Sequence, residues 1–393
     1  MLFSSLLSLA LVPSTLAIVI PTTGNPFLGR QLYANSKYAA KLEATISSFY
    51  QQGDSINAAR TKRVQRTGTF AWISSNADVP SISTYIDEAL TIQKNSQRAQ
   101  IVEFVVYNLP DRDCSAKASD GELKIADDGL NKYKLFIDDV AAAISVAKAD
   151  ELSFVVILEP DSLANLVTNL AVEKCAGAEQ AYKAGVAYAI KKLQFSNVHL
   201  YLDAAHGGWL GWDGNLEPSA KLFAEVLGMA NSNSTTEAKV RGLATNVSNY
   251  NAYIAVPREN FTEWSNSWDE SHYVNSLAPY LEAEGFPAHF IIDQGRAGKL
   301  GIRQEWGQWC NVKGAGFGAL PTTETNDTLV DALVWVKPGG ESDGTSNSTS
   351  PRFDEMCVSA VADVPAPEAG AWFNEFTRTL VKNANPPLEP MWI

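Results

Sequence analysis

Seven short apolar runs, separated by segments of helical periodicity, recur along the chain and constrain its fold more than any other feature. The runs occupy residues 69–73, 101–109, 154–158, 198–202, 243–247, 289–292 and 333–336. Helix-like segments at 81–97, 129–148, 178–192, 217–230 and 270–284 lie between most of them. A strand, a helix and a second strand in succession give a parallel pair with the helix outside the sheet. The alternation therefore predicts an α/β fold with a parallel sheet.

Polar residues follow every run. The first carries Trp72 and Ser74 at its end; Asp111, Arg112 and Asp113 follow the second, and Glu159 and Asp161 the third. Asp203 and His206 follow the fourth, Asn249 and Tyr250 the fifth, and Asp293 and Arg296 the sixth. Lys337, Glu341 and Asp343 follow the last. A parallel barrel gathers the carboxyl ends of all its strands on one face, whereas an open sheet gathers only those at its switch point. The even spread favours a closed or nearly closed seven-stranded β/α barrel with its site at the strand C-terminal ends.

The chemistry at that face is acidic and aromatic. Pro110 and Pro160 end two strands and present Asp113 and Asp161 just beyond them. Carboxyls held together have their pKa values pushed apart, so that one keeps its proton and acts as a general acid. A single loop aspartate is more often salt-bridged, here to Arg112 or Arg296; the whole set at strand ends favours catalysis. Of ten tryptophans, Trp72, Trp209, Trp212, Trp306 and Trp309 stand in or beside glycine-flanked loops, where flat indoles suit the apolar faces of sugar rings. The glycines lack the P-loop spacing, and Ser162 lacks a nucleophile-elbow setting.

Composition narrows the setting. A net charge of −13 disfavours nucleic acid. Residues 1–17, MLFSSLLSLALVPSTLA, read as a secretory signal, although no Lys or Arg precedes the apolar run. That run is too short to cross a membrane, and residues 18–393 are expected to form a single domain. Cys114, Cys175, Cys310 and Cys357 fit two disulfides; pairing in chain order, 114–175 and 310–357, is favoured among the three connectivities. With no CxxC and only four histidines, a structural zinc site is not expected. Sequons stand at Asn233, Asn246, Asn260, Asn326 and Asn347, of which Asn246 sits in a strand-like run and is expected to be unmodified. The Gly/Ser/Thr-rich stretch 339–350 reads as an active-site loop.

The segments VVYNLPDRDC, EPDSLANLVTNL, YLDAAHGGWLGW, RGLATNVSNYN, DQGRAGK, EWGQWCN and VWVKPGGESDGTS together resemble glycoside hydrolase family 6, from about Asn25 to the C-terminus. The resemblance implies a distorted seven-stranded β/α barrel, secretion, and inverting hydrolysis of β-1,4-glucan without metal or organic cofactor. By motif, Asp161 matches the general acid, Asp113 the aspartate that raises its pKa, and Tyr107 a tyrosine beside the distorted sugar. Ser119 matches the positioner of the attacking water. Asp343 matches the aspartate proposed as general base, for which a water chain is the rival account. Trp72, Ser74, His206, Trp209, Asn249, Trp309, Lys337 and Glu341 match substrate contacts, and Trp212 an aromatic at the tunnel mouth.

Loops 114–129 and 337–366 are both long, which in that family accompanies a roofed tunnel and exo action. The expectation is a monomeric cellobiohydrolase acting on cellulose and cello-oligosaccharides, with no membrane partner. Its competitors are an endoglucanase of the same family, a non-catalytic glucan-binding protein and a metal-dependent hydrolase. Ser74 departs from the aspartate common in relatives, and Ser342 from a cysteine found in some. A cellulose-binding module is not expected, and weaker action on crystalline than on amorphous cellulose follows.

Overall fold

The computed structural model describes residues 24–232 and 234–392. The expected signal, residues 1–17, and the sequon residue Asn233 lie outside the described residues. Eight parallel strands form one sheet: β1 (Gln31–Leu32), β2 (Ala71–Ile73), β3 (Gln100–Val106), β4 (Ser153–Leu158), β5 (Val198–Asp203), β6 (Gly242–Thr245), β7 (Phe290–Asp293) and β8 (Val330–Val334). The order is β1-β3-β4-β5-β6-β7-β8, with β2 also on β3. Gln31 of β1 sits opposite Gln100 at the start of β3, and Ala71 of β2 opposite Phe104 near its end. The two short strands thus share one edge at different heights, and any level of the sheet crosses seven strands, as the apolar runs predict.

Helices α3 (Ser81–Ser96), α4 (Gly129–Ile144), α5 (Ser162–Thr168), α6 (Glu173–Lys192), α7 (Asp213–Asn231) and α8 (Glu270–Ala283) connect β2 to β7 in turn. Each strand alternates between two cores, as a period of two requires. Val102, Phe104 and Val106 of β3 face the helices, while Ile101 and Val105 join Val155, Ile157, Tyr201, Ile291 and Val334 inside the barrel. Both faces are buried, so the strands read as nearly unbroken apolar runs.

The ring does not close by a ladder. Between β2 and β8 there are isolated bonds, from Phe70 N–H to the Trp335 carbonyl at 3.2 Å and from Trp72 Nε1 to the Val336 carbonyl at 3.1 Å. Three further helices, α1 (Ser36–Gln51), α2 (Ser55–Gln65) and α9 (Asn374–Lys382), lie outside the strand–helix alternation. Tyr38, Leu42, Ile46 and Phe49 of α1 meet Phe376 and Leu380 of α9 in a separate core that also holds Trp335 and Phe317, stacked 4.8 Å apart. Asn35 caps α1 by accepting the Tyr38 N–H.

The cysteines pair in chain order, Cys114 with Cys175 and Cys310 with Cys357. Asn246 is buried, its amide donating to the Asn251 and Asp293 carbonyls, which leaves no room for a glycan. No helix among the described residues is long and apolar enough to cross a membrane.

The barrel is close-packed where β6 meets β7. A Cβ on Gly242 would lie 1.9 Å from the His289 carbonyl oxygen, a backbone atom that cannot turn aside. Gly242→Ala is expected to cost about 3 kcal/mol or more. Urea unfolding of the variant beside the wild type measures it.

Candidate active site

The backbone that ends four of the strands, β3 to β6, is strained in a repeated way. Asp111 and Asp113, Glu159 and Asp161, and Asn246 and Ser248 form pairs two residues apart with positive φ, between 52° and 66°, and Ala205 adds another at 50°. These are seven of the eleven such non-glycine residues among the described residues. Left-handed backbone costs about 1–3 kcal/mol for a side chain other than glycine and collects where function over-determines it. The kinks turn the chain sharply off the strand, and each sends one of its side chains inward.

Within each acidic pair the two carboxyls separate. Glu159 is buried away from the cavity and accepts the Asn108 and Leu109 N–H groups at 3.1 and 3.2 Å, bracing the end of β3. Asp161 lines the cavity instead. Its own N–H donates to Asp203 Oδ2 at 2.9 Å, and the Ala205 N–H donates to the same oxygen at 3.2 Å. Burial, then the Asp203 and Asp113 carboxylates, push the Asp161 carboxyl well above the ordinary range. Asp203 is pushed up to about 7, chiefly by burial. Asp113 is also raised by burial, with a smaller opposing contribution from the Ser119 N–H that it accepts at 2.8 Å. The Tyr107 hydroxyl, raised by burial and by Asp113 and Asp161, keeps its proton.

Asp343 lies across the cavity in the opposite electrostatic setting. Arg296 donates to its Oδ1 and Oδ2 at 2.8 and 2.6 Å, and the Tyr250 hydroxyl and Asn311 N–H donate to Oδ2 at 3.0 and 2.9 Å. Lys337 Nζ stands 3.9 Å from Oδ1. His206 is neutral, since burial and Arg303 lower its pKa to about 3. Its Nδ1 accepts the Gly208 N–H at 3.2 Å, which leaves the proton on Nε2. Asn249 Oδ1 is occupied by the Arg303 guanidinium at 2.8 Å, so its amide N–H groups are what remain for a ligand.

Eleven of the fourteen site residues expected from the sequence line one cavity of about 530 Å³: Trp72, Tyr107, Asp113, Ser119, Asp161, His206, Trp209, Asn249, Trp309, Lys337 and Asp343. The other three lie outside its lining. The Ser74 hydroxyl is turned toward Asp78 at 3.3 Å. Glu341 is held by Lys41 at 2.7 Å, and Trp212 lies beyond the cavity end with its Nε1 donating to the Gly208 carbonyl. Trp306, among the loop tryptophans singled out in the sequence, also lines the cavity; the sequence reading passed over Asn165 and the role of Asp203 behind Asp161. Position after a strand singled out Asp203; its contact with the Asp161 backbone is visible only in three dimensions.

The two long loops meet above this space. A Cβ on Gly344 would lie 3.1 Å from the Ala118 Cβ and 2.5 Å from Cys357 Sγ, so the loops touch where both residues are small. The Cys114–Cys175 bridge ties one loop to α6, and the Cys310–Cys357 bridge ties the other to the segment beside Asn311.

A barrel whose strand ends enclose an aromatic-walled cavity, with one proton-bearing carboxyl and one cation-paired carboxylate, has the parts of a glycoside hydrolase. The chain belongs to the glycosyl hydrolases family 6, whose profile matches residues 27–384. It is 49% identical to 1,4-beta-D-glucan cellobiohydrolase CEL6B of Podospora anserina, covering 98% of this chain and 90% of that protein. It is 49% identical to exoglucanase 3 of Agaricus bisporus, covering 93% and 80% respectively. Among solved structures, CcCel6C of Coprinopsis cinerea superposes with a TM-score of 0.92 at 57% identity, covering 94% of this chain and all of that one. Cellobiohydrolase II of Humicola insolens, solved with glucose and cellotetraose, superposes with a TM-score of 0.88 at 43% identity, covering 93% of this chain and all of that one.

The buried acids make stability depend on pH. Glu159 and Glu270 keep protons up to about 7 in the fold; unfolded, they lose them near about 4. Stability from a raised pKa is complete below the unfolded value and is lost as pH rises through the folded one. His206 and His199, lowered to about 3 and about 4, oppose this only below pH of about 6.5. From about pH 6.5 to about 8 the unfolding free energy is therefore expected to fall by roughly 1 kcal/mol. Calorimetric scans across that range should show Tm falling by a few degrees.

Proposed function

We propose that the protein is a secreted, inverting cellobiohydrolase that releases cellobiose from the non-reducing ends of β-1,4-glucan chains. The observation that carries this reading is the Asp161 carboxyl, facing the cavity with its proton retained by burial and by two neighbouring carboxylates. Asp161 donates that proton to the glycosidic oxygen as the C–O bond to the anomeric carbon breaks. Water attacks the anomeric carbon from the other face, and the new hydroxyl has the α configuration. Trp72, Trp209 and Trp309 hold the sugar rings by their faces, while His206 Nε2–H, the Asn249 amide and Lys337 bind hydroxyls.

The fate of the water's proton follows from the two other carboxylates. Asp343 already accepts bonds from Arg296, Tyr250 and Asn311, so its oxygens are taken up by donors of the protein. Asp113 is less firmly held, by the Ser119 N–H at 2.8 Å, and burial raises its pKa, so it has both the room and the affinity to take up a proton. We therefore assign the proton's exit to a water chain along the Ser119–Asp113 loop, with Asp343 supplying negative potential to the developing oxocarbenium ion. The charge of the Arg296–Asp343 pair and the bonds around it also order the roof loop. Secretion is supported by the signal-like leader and by the two disulfides.

Exo action is supported by the meeting of the roof loops at Ala118 and Gly344. Two experiments test the proposal. Asp161→Asn is expected to lower cellohexaose turnover by about 10²–10⁴-fold while binding persists. Time-resolved product analysis with anomer detection should give cellobiose with the α anomer formed first; β-configured products or unchanged turnover would refute the acid assignment. Replacement of Ala118 by Phe should hold the loops apart. The rate of viscosity loss in carboxymethyl cellulose is then expected to rise several-fold relative to the release of soluble sugar.

A further inference from the structure

Trp264 is 83% exposed, the most exposed large apolar side chain among the described residues, and the site described above does not use it. It nevertheless sits on an ordered segment. Arg258 Nη2 donates to the carbonyls of Thr262, Glu263 and Ser265, so one guanidinium pins the backbone on both sides of Trp264. The segment is also fixed at each end to the cavity mouth. Phe261 packs edge-on against Trp306, a cavity-lining residue, with ring centroids 5.2 Å apart. Asn266 donates to both carboxylate oxygens of Asp213 at 3.1 and 3.2 Å, next to Trp212, itself 37% exposed. Ser267 packs on Gly211 of the same turn, where an added Cβ would come within 2.5 Å. Trp264 is thus held out in solvent on a segment anchored at one end to Trp306 and at the other to the turn that carries Trp212.

We propose that Trp264 is an external stacking platform for neutral β-glucan, which holds a cellulose chain against the rim before it passes Trp212 into the cavity. The inference rests on the function proposed above and extends it to a residue outside the enclosed site. A flat indole on rigid backbone binds a pyranose face with little ordering cost. A second copy of the chain is a poorer occupant, because each copy carries a net charge of −13.

The test compares wild type, Trp264→Ala and Trp264→Tyr. Adsorption isotherms on phosphoric-acid-swollen cellulose are expected to weaken about fivefold for the Ala variant and to recover largely for Tyr. Turnover on swollen cellulose should fall for the Ala variant relative to its turnover of cellotetraose, which is short enough for the enclosed cavity. Unaltered adsorption of Trp264→Ala, or a Tyr variant as weak as Ala, would overturn the platform. So would a wild-type dimer in sedimentation that Trp264→Ala dissociates. A wild type inactive on cellotetraose would instead overturn the proposed function, so the two failures are distinguishable.

Discussion

The Asp161 carboxyl faces the cavity with the Asp203 and Asp113 carboxylates near it, and no cation contributes to its titration. Asp343, across the same cavity, has Arg296 and Tyr250 on its oxygens. The two acids begin as the same functional group, and their neighbours make them chemically opposite. Burial without a cation favours the neutral form, and a buried guanidinium favours the anion. One cavity therefore presents both a proton donor and a fixed negative charge at one pH. Much of the surrounding structure serves to maintain that difference. The Asp203 carboxylate is kept beside the acid by two backbone N–H groups, and the Asp343 carboxylate is kept beside its cation by the Asn311 N–H.

The backbone is shaped to the same end. An extended strand sends successive side chains to opposite faces, so two acids two residues apart would share a face. With Glu159 and Asp161 both left-handed, the chain curls, Glu159 returns to the end of β3, and Asp161 reaches the cavity. Pro160 between them has no N–H to lose. The same turn after β3 sends Asp111 to the Ile125 N–H and Asp113 to the Ser119 N–H. The strain at these positions is the local counterpart of the electrostatic cost of the acids.

Much of this was legible in the chain itself. Apolar runs that are nearly continuous mark strands buried on both faces, and polar residues after each mark the cavity face. Those two signals located Asp113, Asp161, His206, Asn249 and Lys337 without any coordinates. Element ends were less legible: the run 101–109 continues past Val106, where β3 ends, because Tyr107 and Leu109 are apolar for packing in the kinked loop. The seven-residue helix α5 (Ser162–Thr168) was hidden because it is short and follows almost directly after a strand, and its N-cap Asp161 is left-handed and makes no capping bond. Asp203 and Arg296 were visible as strand-end polar groups, but their partners come from other strands, and sequence spacing carries no information about such contacts. Glu341 and Ser74 matched substrate positions by motif, yet Lys41 and Asp78 occupy their side chains.

Helices α1 and α9 were not foreseen because they stand outside the strand–helix alternation, and their place in the molecule explains their presence. A seven-stranded ring leaves a seam between β2 and β8, where only isolated bonds cross. Trp72 and Lys337 stand on its two sides, with Lys337 Nζ 5.8 Å from the indole, so the seam is itself part of the cavity wall. Without a ladder there, other contacts must fix the loop that leaves β8. The Tyr38 hydroxyl of α1 donates to the Gly339 carbonyl at 2.8 Å, Lys41 pairs with Glu341, and the Phe373 N–H just before α9 donates to the Gly340 carbonyl. Three contacts thus hold residues 339–341, immediately before Asp343. The second core therefore does for the roof what an eighth strand would do for the ring: it sets where the loop begins, and through it where the anionic carboxylate stands relative to the acid that follows β4.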